Sequence, residues 1–135
     1  MIAKKISQEA GEEAIKVEAS ELVTLNEKQP RLKARWIIET EKSGWKDNAI
    51  SEWELKAAGF EDLHPHDEIT FVLEGEIHIT VDGVEYTGTT GDMIKVPAGK
   101  VGTYWAPVYA RMLAIYGPNP EGKTSEYLRY WEIDK

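Results

Sequence analysis

The chain contains no cysteine. That excludes disulfide bonds, thiolate-held metals and a cysteine nucleophile, so any metal has to sit on imidazole and carboxylate groups. Histidine is scarce too, with three in 135 residues. Positive charge is in short supply: 16 Lys and Arg face 24 Asp and Glu, for a formal charge of −8. An acidic chain repels phosphate backbones, which argues against a nucleic-acid partner. Long apolar runs are missing. A membrane helix needs about 18 consecutive apolar residues, and none is present. Met1 to Lys16 breaks its apolar residues with Lys4, Lys5, Glu9, Glu12 and Glu13, whereas a signal peptide keeps an unbroken apolar stretch of about 7–15 residues. A soluble, cytoplasmic protein with no membrane partner is expected. The chain also lacks a Gly-x-Ser-x-Gly elbow, a phosphate-binding loop and a dinucleotide glycine fingerprint, which removes the common nucleophilic and nucleotide-dependent chemistries.

What the chain does have is alternation. Residues 1–30 are poorly patterned and read as an N-terminal extension packing on the domain; Ser7 to Ile15 suggests a short helix weakened by Gly11. From Arg31 the period becomes two. Leu32, Ala34, Trp36 and Ile38 alternate with charged residues, and Ile50 to Leu55 reads as a second strand. Ile69 to Leu73 is a β-rich run that Glu74-Gly75 should stop. Ile77, Ile79 and Val81 alternate up to Asp82-Gly83, a two-residue hairpin turn, and Val84 to Thr90 returns. Met93 to Val96, Val101 to Ala106 and Ala110 to Tyr116 supply further strands between Pro and Gly punctuation, and Tyr127 to Ile133 is a last strand or short helix. Short strands at this spacing predict one all-β sandwich or barrel over residues 31–135.

The densest group of possible ligands is Asp62-Leu63-His64-Pro65-His66-Asp67-Glu68. Positions 62, 64, 66 and 68 share parity, so an extended segment can aim Asp62, His64, His66 and Glu68 into one cavity. Imidazole with carboxylate suits divalent zinc, iron, nickel or manganese. The same spacing equally describes a polar turn leading into a strand, with Pro65 at its tip.

These residues resemble a known family. His64 and Glu68, followed by six residues and Gly75, look like the second half of the first cupin motif, and Gly91-Asp92, Pro97 and Gly99 match the opening of the second. The resemblance spans about Glu52 to Tyr116. It implies a jelly-roll (double-stranded β-helix) barrel, commonly a homodimer, with its functional cavity inside. It also implies which residues would hold a metal: His64 and Glu68 stand at ligand positions, Asp62 replaces the first histidine, and Gly102 replaces the last. His66 is the remaining imidazole that could join them. Within the cupins the likeness runs to the ethanolamine-utilisation (EutQ-type) proteins, with the ureidoglycine-type cupins next. It rests on Asp67-Glu68-Ile69-Thr70-Phe71-Val72-Leu73-Glu74-Gly75 and on Arg111 at the start of a strand, and it implies a role near small-molecule catabolism.

Two functions fit these residues. One is a binding module with a partly degenerate metal site, taking a small and possibly anionic metabolite into the barrel. The other is a metal-dependent lyase, isomerase, hydrolase or oxygenase, with Glu68 as ligand or general base and His64 as ligand or acid. If position 102 points inward, Gly102 should widen the pocket, and Tyr104, on the same face, offers a phenol to a ligand or packs in the core. Lys95 and Arg111 are candidate anion contacts, each equally readable as a solvated or ion-paired surface residue. His78 should face outward between Ile77 and Ile79. Trp36, Trp45, Trp53, Trp105 and Trp131 should build the core or a dimer interface, or form an aromatic platform for a sugar.

Overall fold

A computed structural model describes residues 13–134. The helix expected at Ser7 to Ile15 lies largely outside these residues, and Glu13, Ala14 and Ile15 carry no regular structure. Ten strands follow: β1 (Val23–Thr24), β2 (Leu32–Ile38), β3 (Ala49–Leu55), β4 (Ala58–Leu63), β5 (Glu68–Val81), β6 (Val84–Thr89), β7 (Met93–Val96), β8 (Val101–Ala106), β9 (Ala110–Tyr116) and β10 (Glu126–Glu132). Among the described residues no helix is long and apolar enough to cross a membrane.

All pairings are antiparallel. One sheet runs β1-β2-β3-β9-β5-β7 and the other β10-β4-β8-β5-β6. Strand β5 therefore belongs to both. Its first half pairs with β9 and β7, and its second half pairs with β8 and β6. The strand does not stop at Glu74-Gly75 as expected: it runs to 14 residues, with a bulge between Val72 and Glu74 just before the glycine. Gly75 adopts φ +80°, a left-handed conformation that costs side-chain-bearing residues free energy. There the strand swings out of one sheet and into the other, and the Glu76 N–H donates to the Tyr109 carbonyl at 3.0 Å. The Asp82-Gly83 hairpin is as expected, with both residues at positive φ and Val81 paired to Val84.

Alternation fills the space between the sheets. Trp53 and Leu55 of β3, Val72 of β5 and Met112 of β9 meet Phe60 of β4, Tyr104 of β8 and Ile77 and Ile79 of β5 in one core. Strand β4, Ala-Gly-Phe-Glu-Asp-Leu, contains no β-branched residue, so propensity does not mark it. It is a strand because β8 and β10 pair with it on either side. The register sets Phe60 opposite Tyr104 and Asp62 opposite Gly102.

The left-handed Gly75 generates a prediction. A Cβ at residue 75 would lie 2.1 Å from the Tyr109 carbonyl oxygen. Gly75→Ala should therefore lose about 2 kcal/mol or more in chemical denaturation, the scale of a strained left-handed residue with a backbone clash added. An unchanged midpoint would contradict this role for Gly75.

Candidate functional site

Between the sheets lies a cavity of about 720 Å³. Strand β4 delivers Asp62 to it, β5 begins with Glu68, and the turn between them carries His64 and His66. All four residues line the cavity, as their shared parity requires. Asp67, of opposite parity, turns away and accepts a bond from the Ala98 N–H at 2.9 Å. Asp62, His66 and Glu68 are 5%, 5% and 3% exposed, so the acids sit well away from bulk water.

The arrangement turns on His64. Its Nε2 lies 3.1 Å from Asp62 Oδ2 and 3.1 Å from Glu68 Oε1, and its Nδ1 lies 2.6 Å from Ser125 Oγ. Burial acts to lower the His64 pKa, but hydrogen bonds and charge from Asp62 and Glu68 outweigh it and push the pKa up to about 10. Without an ion the ring is thus a cation held between two carboxylates. His66 stacks on it with ring centroids 4.7 Å apart and bonds through Nδ1 to the Asp67 carbonyl at 3.0 Å. Burial and the neighbouring His64 charge lower the His66 pKa, so His66 stays neutral.

Asp62, His64 and Glu68 each offer a donor atom, and these atoms lie within 4.8 Å of one another. Their chemistry fits a divalent ion. His64 turns Nε2 toward both acids while Ser125 engages Nδ1, the second contact that fixes the tautomer of a ligating histidine. His66 shares the cavity wall but lies outside this group of three.

Tyr104 is fully buried, and its O–H donates to Glu68 Oε1 at 3.2 Å. It packs against Phe60 and Trp53 and is not part of the cavity wall. Gly102 does not widen the pocket, because the Tyr104 ring occupies the space beside it: a Cβ at residue 102 would lie 2.7 Å from Tyr104 Oη. Lys95 is half-exposed, 3.4 Å from Asp67 Oδ2, and Arg111 pairs with Glu52 and Glu74. Neither lines the cavity. His78 lies on the outer side, stacked on Trp105 and bonded to Glu76 and Glu85.

The aromatic walls divide the tryptophans. Trp53 belongs to the core and also lines the cavity with Trp36 and Trp45, and Trp105 and Trp131 flank a separate shallow surface. Trp45 Nε1 donates to the Tyr116 carbonyl at 3.1 Å, and its ring meets His66 edge to face. Tyr116 closes another side, its hydroxyl 2.8 Å from Ser51 Oγ. Burial and the charge of Glu68 raise its pKa well above the ordinary phenol value, keeping it neutral. Tyr116 continues the inward series Ala110, Met112 and Ala114, so parity alone could have identified it. Trp45 and Ser125 lie outside the strands, where no periodicity marks them.

Residues 52–116 match the Cupin domain family. The jelly-roll architecture agrees with this match, and this region is a cupin domain. Within that class the chain resembles EutQ. It is 31% identical over 65 residues to acetate kinase EutQ of Clostridioides difficile, covering 48% of this chain and 41% of that protein. It is 32% identical over 72 residues to acetate kinase EutQ of Salmonella typhimurium, covering 53% and 28% respectively. Each match spans less than half of the relative's length. The solved structure of an ethanolamine utilization protein Q from Salmonella typhimurium superposes with a TM-score of 0.57 at 28% identity, covering 64% of this chain and 69% of that one.

The His64 clamp predicts a pH dependence for the ion-free protein. Its pKa is raised from 6.5 to about 10, so folding binds the proton more tightly. The stabilisation is complete below about pH 6.5, declines above it, and is gone once pH passes about 10. In chelator-treated protein, the stability advantage of wild type over His64→Gln should shrink across that window. An advantage that grows with pH would contradict the clamp.

Proposed function

We propose that this cupin holds a divalent metal ion on Asp62, His64 and Glu68 and binds a small metabolite in the cavity beside it. The convergence of the three donor atoms on a buried wall of the cavity carries this reading. Two carboxylates and a neutral imidazole balance a divalent charge, and the oxygen-rich set suits zinc or manganese, with iron and nickel as further candidates. Once the acids are neutralised in this way, an anionic group on the ligand is no longer repelled. Lys42 and Lys123 in the cavity wall add positive charge, while Trp36, Trp45 and Tyr116 offer apolar surface to a carbon skeleton. The likeness to an ethanolamine utilization protein supports a place in small-molecule catabolism.

One observation favours a catalytic version of this site. His64 and Glu68 are within proton-transfer distance at 3.1 Å, and both line the cavity. In the ion-free site an acid and a base so placed serve proton transfer in a lyase, isomerase or hydrolase; with an ion bound, the ion would instead polarise a substrate oxygen.

Calorimetric titration of chelator-treated protein, purified without nickel resin, tests the ion site. Zinc or manganese should bind at about one equivalent and displace the His64 proton, so the heat should vary with the ionisation enthalpy of the buffer. Asp62→Asn and Glu68→Gln should each weaken binding by at least the ~10–100-fold that loss of a supporting group causes. Absence of uptake after reloading with either ion would overturn the proposal.

A further inference from the structure

Gly102 and Tyr104 are neighbours on the inner face of β8, and their side-chain spaces overlap. Across the β4–β8 pairing, residue 102 lies opposite Asp62 and residue 104 opposite Phe60. A side chain at 102 would therefore project beside the acid cluster. Instead the Tyr104 ring stacks on Phe60, with centroids 4.9 Å apart and planes at 16°, and leans back over the bare backbone of Gly102. Three of its atoms, including Oη, lie 2.7–2.8 Å from where a Cβ at 102 would stand. The lean carries the hydroxyl to Glu68 Oε1 at 3.2 Å, the same oxygen that faces His64 Nε2. Glycine at 102 and tyrosine at 104 thus form one device, since the phenol can take this place only if residue 102 has no side chain.

We infer that Tyr104 is a positioning residue of the ion-binding group. Its neutral hydroxyl fixes the Glu68 carboxylate so that Oε1 points to the place where Asp62 and His64 converge. Trp53 meets the ring edge to face and Phe60 covers it, leaving the phenol no other packed arrangement without disturbing the core. The substitution of glycine at 102 therefore leaves a three-donor site supported by a phenol, rather than an open gap. This inference rests on reading Asp62, His64 and Glu68 as ion ligands, and its test separates the two.

The variants are Tyr104→Phe, Gly102→His and the double change Gly102→His with Tyr104→Val, titrated with zinc alone after chelator treatment. Tyr104→Phe keeps the stacked ring and should still melt cooperatively, somewhat below wild type for the lost bond to a buried carboxylate, yet bind zinc about tenfold or more weakly, as expected for a lost partner of a ligand. Gly102→His should melt lower without gaining affinity, because the phenol occupies its space. The double variant, with that space cleared, should bind zinc more tightly than Gly102→His. Unchanged zinc affinity in Tyr104→Phe would overturn the positioning role, and so would a Gly102→His variant that gains affinity at full stability. If wild type takes up no zinc, the ion-binding reading fails by itself. A crystal structure of Tyr104→Phe then decides the remaining question: a rotated Glu68 carboxylate supports positioning, and an unmoved one refutes it.

Discussion

The architecture depends on a single left-handed residue. A 14-residue strand cannot pair with β9 along one half and β8 along the other unless it changes direction, and Gly75 supplies that change. Because β5 is common to both sheets, the side chains of its two halves face a shared interior. Glu68, at the start of the strand, then opens onto the same space as Asp62 on the opposite sheet. The meeting of these two acids follows from strand geometry. No loop has to be held in place to bring it about.

Two buried carboxylates 4.8 Å or less from a common imidazole would repel each other without a counter-charge. The fold meets this with His64, whose proton is shared between them, and with Tyr104, whose O–H reaches one of them. Removal of either support leaves an acid underpaired in a region that water barely reaches. The excess of acidic groups over the whole chain is a separate matter. Those charges lie largely on exposed faces, where Lys95, Lys100, Arg111 and Arg129 pair with some of them.

Much of the fold was legible in the sequence because alternation and turn chemistry are local. The spans of β2, β3 and β9 and the Asp82-Gly83 hairpin follow from a period of two and a single dipeptide. Strand β4 was not legible, since its residues have little intrinsic preference for the extended state and take it from their neighbours. The break expected at Glu74-Gly75 failed because glycine marks both ends and bends of strands, and only the partner strands decide between them. At the site, parity brought Asp62, His64, His66 and Glu68 to one cavity. Spacing could not show that the Tyr104 ring leans over Gly102, because that depends on a side-chain rotamer and on the packing of Phe60. Lys95 and Arg111 were ambiguous for a similar reason: a strand residue's parity gives its face, but the ion pairs that occupy it come from distant parts of the chain.

Trp45 has a consequence of a different kind. Its indole is hydrogen-bonded to the backbone of Tyr116 and lies edge to face on His66, so the cavity wall contains a fluorophore in direct contact with the histidine pair. Trp36 and Trp53 stand in the same wall, whereas Trp105 and Trp131 lie elsewhere. A molecule entering the cavity changes the polarity around three of the five indoles and leaves the other two as an internal reference. The protein is in effect its own optical sensor, and candidate metabolites can be screened by intrinsic emission with no label attached.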